Sequence, residues 1–142
     1  MMKKIFFAGI FLLLVNTVYS QTEDSEFKAI EQRLNNCINN APDNTSSAQC
    51  IYDAIDEYDR LLNHYYQAVK DLLSDEGKTG LKDAQRKWIE MRDLEFKFID
   101  QLYFVELGGT MYMSVANNLK KEFIKRRVTE LKNYYHTLNN GE

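Results

Sequence analysis

Seven residues, Ile51, Ile55, Tyr58, Leu62, Tyr65, Val69 and Leu72, follow one another at spacings of 4, 3, 4, 3, 4 and 3. That period places all seven on one face of an α-helix and is incompatible with a strand, whose side chains alternate with period two. A helix carrying so long an apolar seam must bury it against other elements. The rest of the chain offers three more helices to do so. Phe27, Ile30, Leu34 and Cys37, at spacings 3, 4 and 3, mark a first segment from about Asp24 to Asn40. It is closed by Asn39-Asn40-Ala41-Pro42-Asp43, because proline cannot continue the hydrogen-bond ladder.

The segment with the long seam opens at Ser46 or Ser47, where Ser46 and Gln49 resemble a capping box. It is expected to run to about Ser74, with Asp75 to Thr79 as the turn. The third segment starts near Thr79 or Gly80 and turns Leu81, Ala84, Trp88, Met91, Leu94, Phe98, Leu102 and Val105 inward. It ends at Gly108-Gly109, where a left-handed stop costs little. The fourth runs from about Met111 to Leu138, with Ala116, Leu119, Phe123, Leu131, Tyr134 and Leu138 inward. Only six Gly and one Pro occur in 142 residues, which disfavours turn-dense all-β and collagen-like chains. Short connections between long amphipathic helices predict an all-α, antiparallel bundle of about four helices.

Residues 1–20, MMKKIFFAGIFLLLVNTVYS, have a different purpose. Lys3 and Lys4 precede the apolar run Ile5 to Val15, and Val18 and Ser20 stand at −3 and −1 of a cut before Gln21. These are the three parts of a Sec signal peptide, and the run is too short to span a bilayer. The expected organisation is a signal peptide at 1–20 and one helical domain at 21–142, periplasmic or secreted, with no stable membrane anchor. Without the leader the chain holds 16 bases and 21 acids, a net charge of −5. Residues 21–79 carry 12 acids and 5 bases, whereas residues 80–142 carry 9 acids and 11 bases. That balance disfavours a nucleic-acid partner.

Cys37 and Cys50 are the two thiols of the chain. In an oxidising compartment they are expected to form a disulfide between helices 1 and 2. The bridge would stabilise by about 3 kcal/mol through the loop it closes. A redox pair would favour Cys-x-x-Cys spacing, and a metal site would need more partners than His64 and His136 supply. No cofactor and no metal are expected, and no residue order marks a catalytic site.

Polar residues interrupt the apolar faces in a pattern of their own. Asp59, Asn63 and Tyr66 recur on the second segment, and Gln85, Trp88 and Arg92 on the third, with Asp93 beside them. Folded about a turn near Gly77, the two stripes would face each other, with Asn63 opposite Arg92. The order Asp59-x-x-Leu62-Asn63-x-x-Tyr66, then Leu81-x-x-Ala84-Gln85-Arg86-x-Trp88-x-x-x-Arg92-Asp93, then Gly108-Gly109 ahead of Arg127 and Leu131, resembles the LprI-type lysozyme inhibitor family. The resemblance covers about residues 34–135. It implies a small exported all-helical protein that binds and blocks lysozyme, which cuts peptidoglycan. Other roles open to such a protein are an envelope interaction or structural protein, or immunity against a wall-targeting toxin. Many members carry a second Cys pair where this chain has Phe96 and Leu119, and the resemblance implies that these two side chains touch.

Two surfaces compete for a protein partner. The polar layer of Asp59, Asn63, Tyr66, Gln85, Trp88, Arg92 and Asp93 either binds the partner or satisfies hydrogen bonds between helices. Asp53, Asp56 and Glu57, with Asp43 in the stapled loop, form an acidic face that would steer a basic lysozyme, or else a solvated helix face. The loop from Asn39 to Ser47 is the expected inserting element. Lys120, Lys121, Lys125, Arg126, Arg127 and Lys132 make a basic cluster on the fourth segment. It either touches anionic lipid, lipopolysaccharide or wall teichoic groups or is a solvated face, with Arg127 alone at an inward position.

Overall fold

The computed structural model describes residues 25–140, and the expected leader with its cut after Ser20 lies outside them. Four α-helices make up the described chain. Helix α1 spans 25–39, α2 Asn44–Leu72, α3 Asp75–Asp100 and α4 Met113–Asn139. Helix α3 runs on into a π-helical turn, Gln101–Glu106, and a 3-10 turn, Thr110–Tyr112, leads into α4. Among the described residues there is no strand, and no helix is long and apolar enough to cross a membrane. The disulfide joins Cys37 at the end of α1 to Cys50 near the start of α2.

Two helices start earlier than the sequence pattern implied, each because an earlier residue caps it. Asp43, not Ser46, caps α2, and its carboxylate accepts from the Ser46 N–H at 2.7 Å. Gln49 turns away from the expected capping box and donates to Asp53 instead. Ser74 caps α3, its hydroxyl accepting from the Gly77 N–H, so Asp75 to Thr79 form the first turn of that helix rather than a loop. Asp75 and Glu76 stand where the helix dipole favours negative charge. Gly77 allows a tight reversal, since a Cβ there would come within 3.1 Å of the Leu73 side chain.

The helices alternate in direction, but the bundle is not square. Asn44 meets Ser114, Ala48 meets Asn117 and Tyr65 meets Tyr135, so α2 and α4 run parallel along their whole length. This pair is far more extensive than the contacts of α3 with either helix. It can close because Ala48, Ala54 and Ala116 are buried, and small side chains let helix backbones approach. Tyr58, Val69, Val128 and Leu131 are the largest fully buried side chains of the core.

Helix α1 lies antiparallel in the groove on one side of the α2/α4 pair, inserting Ile30 and Leu34. It is also latched by charge. Glu31 accepts from the Tyr58 hydroxyl and from the Lys125 ammonium, each at 2.6 Å, and pairs with Lys121 at 3.6 Å. Helix α3 lies against the other side, antiparallel to α4, and only Gln85 and Ile99 along it are buried.

This arrangement corrects two expected faces. Helix α4 touches neighbours on several sides, so its buried arc is Ala116, Lys121, Ile124, Arg127, Val128 and Leu131. Leu119, Tyr134 and Leu138 are exposed, while Phe123 is half-buried. On α3, Met91, Leu94, Phe98 and Val105 are exposed rather than inward. The residues that meet α4 and α2 are Gln85, Trp88, Arg92 and Phe96, about a quarter-turn or more around the helix.

Candidate functional site

The polar layer assembles around the single tryptophan. Trp88 stacks on Phe123, with ring centroids 5.8 Å apart and planes 29° apart. The guanidinium of Arg92 lies 5.7 Å and that of Arg127 5.9 Å from the Trp88 ring centre. Both distances are within the range of cation–π attraction. Phe96 meets Phe123 edge-on, and Arg126 lies 5.4 Å from the Phe123 ring centre. The layer is therefore an aromatic pair clasped by three guanidiniums.

The two guanidiniums over Trp88 are anchored differently. Arg127 is 8% exposed and donates from Nε to Gln85 Oε1 at 3.0 Å, with Gln85 7% exposed. Its Nη1 donates to Glu130 at 2.8 Å. Arg92 donates to Asp93 at 2.7 and 2.9 Å, and its Nη1 lies 3.9 Å from Asp59. Asn63 folds back on α2, donating to the Asp59 carbonyl and carboxylate. Tyr66 is half-buried against the core.

The structure thus brings Gln85, Trp88, Arg92, Asp93 and Asp59 together and adds Arg127, Phe123 and Glu130. Asn63 joins the layer through Asp59, and it is Asp59 that faces Arg92. The shift has a direct cause. Because α3 starts at Asp75, the α2/α3 turn lies nearer Ser74 than Gly77, and Arg92 meets Asp59, one turn from Asn63. Phe96 packs against Phe123 and the Lys120 ammonium, next to Leu119, which is 41% exposed.

The basic cluster of α4 is not a solvated face. Lys121 is 5% exposed and pairs with Glu31 and Glu122, Lys125 pairs with Glu31, and Lys120 pairs with Asp100. Burial alone would raise the Glu31 carboxyl. Hydrogen bonds from Lys125 and Tyr58 and the charges of Lys121 and Lys125 outweigh it and hold Glu31 below its ordinary value. Burial, then Glu31 itself, pushes the Tyr58 phenol up. The sequence signal for this latch was Glu31 on the same helical face as Phe27 and Leu34, an acid on an apolar stripe.

The acidic face lies on the outer side of α2. Asp53 and Asp56 are exposed, as is the ring of Tyr52 one residue before Asp53 and one turn before Asp56. Glu57 is half-buried and bridges to Arg33 of α1. Asp43 is held below its ordinary value by the Ser46 N–H that it caps. The expected inserting loop shrinks to residues 40–43. Asn40 and Ala41 donate backbone N–H groups to Cys37 and Ile38, which closes α1 and leaves no protruding arm. An open groove lies over the disulfide instead, lined by Asn36, Cys37, Asn40, Ser46, Gln49 and Asp53. Among the described residues no group of three or more His, Cys, Asp or Glu side chains could hold a metal ion.

The motif order and this geometry can be set beside known proteins. No curated protein and no solved structure matches the chain. The family model described as "Lysozyme inhibitor LprI" matches residues 37–131, from the first disulfide cysteine to Leu131 in the second half of α4. That span takes in the staple, the aromatic layer and its guanidiniums, and the chain belongs to the LprI lysozyme inhibitor family.

Proposed function

We propose that this protein binds a peptidoglycan-cleaving lysozyme and blocks it, acting outside the cytoplasm and without catalysis of its own. Membership of an inhibitor family carries the reading. The outer face of α2 supports it with a surface of suitable chemistry. Tyr52 offers an aromatic anchor next to Asp53 and Asp56, all three exposed on a helix that begins at the stapled turn. Tyrosine is favoured at interface hot spots, and acids at the rim accelerate encounter with a basic enzyme.

On this reading the layer around Trp88 is scaffold. Gln85 and Arg127 are buried against each other and offer a partner little surface. Asp59, Asn63 and Asp93 at its margin serve to hold α2 and α3 in register.

Titration of the purified protein against c-, g- and i-type lysozymes in a wall-lysis assay tests the proposal. Inhibition of at least one type is expected, weakening with salt. Asp53→Lys with Asp56→Lys should lower affinity roughly tenfold or more, chiefly through the association rate. Absence of both inhibition and complex with all three types would remove the lysozyme reading. The remaining roles would then be an envelope interaction or structural protein, or immunity against a wall-targeting toxin.

A further inference from the structure

Met91, Leu94, Phe98 and Val105 are 53, 70, 59 and 63% exposed. Their spacings of 3, 4 and 7 place them on one seam of α3 and its π-helical extension. Lys87 and Gln101 fill the two remaining places of a 4-3-4-3-4 pattern. Single exposed apolar residues are ordinary, but a seam of them at coiled-coil spacing forms a contiguous patch of the kind that marks an interaction site. The acidic face described above is on α2, so this is a second surface.

The charges beside the seam indicate what covers it. Lys87, Glu90, Glu95 and Lys97 are exposed and carry no net charge. Such a border offers little steering to the basic partner proposed for α2, but it complements itself. Let a second copy lie antiparallel with its Met91 against Leu94. Within one chain Lys87 already donates to Glu90 at 2.7 Å; in the pair Glu90 of each copy also opposes Lys97 of the other, and the Lys87 stem of each lies over the other's Phe98 ring. Val105 falls opposite Gly80, where a Cβ would have nothing within 4 Å. In this register the helix from Asp75 to Glu106 overlaps its mate along nearly its whole length. Sliding so that Leu94 meets Phe98 would set Glu95 against Glu95 and Lys97 against Lys97, which repel.

We propose that the outer seam of α3 is a homodimer interface, an isologous antiparallel helix pair centred between Met91 and Leu94 and selected by reciprocal Glu90–Lys97 pairs. A two-fold contact of this kind closes on itself and does not polymerise.

Light scattering on a sizing column and sedimentation velocity, run over a range of concentrations on the protein expressed from its full reading frame, test it. A mass twice that of the monomer is expected. Leu94→Glu should weaken dimerisation roughly a hundredfold or more, because each dimer loses two buried leucines. Its circular dichroism should be unchanged, since the position is exposed in the monomer. Glu90→Lys alone should weaken the dimer by roughly tenfold, and adding Lys97→Glu should restore it. A monomer at every concentration would overturn the proposal. So would a dimer indifferent to Leu94→Glu, or a double charge reversal that fails to restore what the single one lost. Capture of a lysozyme through Leu94 by a monomeric protein would assign the seam to that partner and also refute it. Dimerisation is read without any lysozyme present, so its failure and that of the inhibitor reading are separable.

Discussion

Replacing Arg127 with methionine tests whether the layer around Trp88 holds α3 to the bundle. Methionine fills much of the space of the arginine stem, so cavity formation is a minor cost. What is lost is polar. Gln85 Oε1, in a side chain 7% exposed, loses its recorded donor, worth about 1–3 kcal/mol for a buried group left unsatisfied. The guanidinium over the Trp88 ring contributes about 0.5–2 kcal/mol at this degree of burial. The bond to Glu130, whose side chain is half exposed, adds a few tenths. Arg127→Met should therefore cost about 2–4 kcal/mol in urea unfolding followed by circular dichroism. Trp88 is the sole tryptophan, so its fluorescence should report the change at the same time. Removing both partners, with Arg127→Met and Gln85→Leu together, should cost less than the two single losses added, by about 1 kcal/mol or more. A single-variant loss below about 0.5 kcal/mol, or strict additivity in the cycle, would refute the argument.

Three further outcomes follow from other parts of the fold. Glu31 titrates below its unfolded value of 4.5, so the stability it supplies is present above that pH and lost as pH falls through its folded value. Glu31→Gln should lower stability at neutral pH and flatten the acid limb of the unfolding profile, measured by chemical denaturation from pH 7 to 3. Reduction of Cys37–Cys50, 13 residues apart, should cost about 3 kcal/mol, and the oxidised protein should weigh two hydrogens less than the dithiol in a non-reducing mass measurement. Ala116→Leu forces extra methylenes into a fully buried position between α4 and its neighbours and should destabilise by about 1–3 kcal/mol, read as a lowered melting temperature.

Much of this fold is legible in the sequence because its strongest signals are periodic. The seam from Ile51 to Val69 is buried in α2 as its spacing requires, apart from Leu72, which ends the helix exposed. Helix ends were harder to place because two potential caps competed, and Asp43 and Ser74 won by lying earlier. The misplaced faces share another cause. Period identifies a stripe but not what covers it, and α3 carries two stripes, one polar-aromatic and one apolar. The polar one turned inward because Arg127 could reach Gln85 and Phe123 could stack on Trp88, while the apolar one was left outside. Arg127 was legible as an inward cation, yet Lys121 was not, since its pairing depends on Glu31 from a helix some ninety residues away.

The parallel pairing of α2 with α4 also bears on the order of assembly. Their contacts join residues 69 and 70 apart, whereas the α1–α2 hairpin is closed between residues 13 apart. Closing the longer loop costs about 1.5 kcal/mol more in chain entropy. The first hairpin can therefore form while the second half of the chain is still extended, but it presents only half a groove. The layer of buried alanines near the starts of α2 and α4 exists only once α4 has come back alongside α2, so α4 is the element whose docking makes the fold cooperative. A transition state for folding should then feel substitutions at Ala48 and Ala116 more than those along α3, which settles onto a surface that the other three helices have already built.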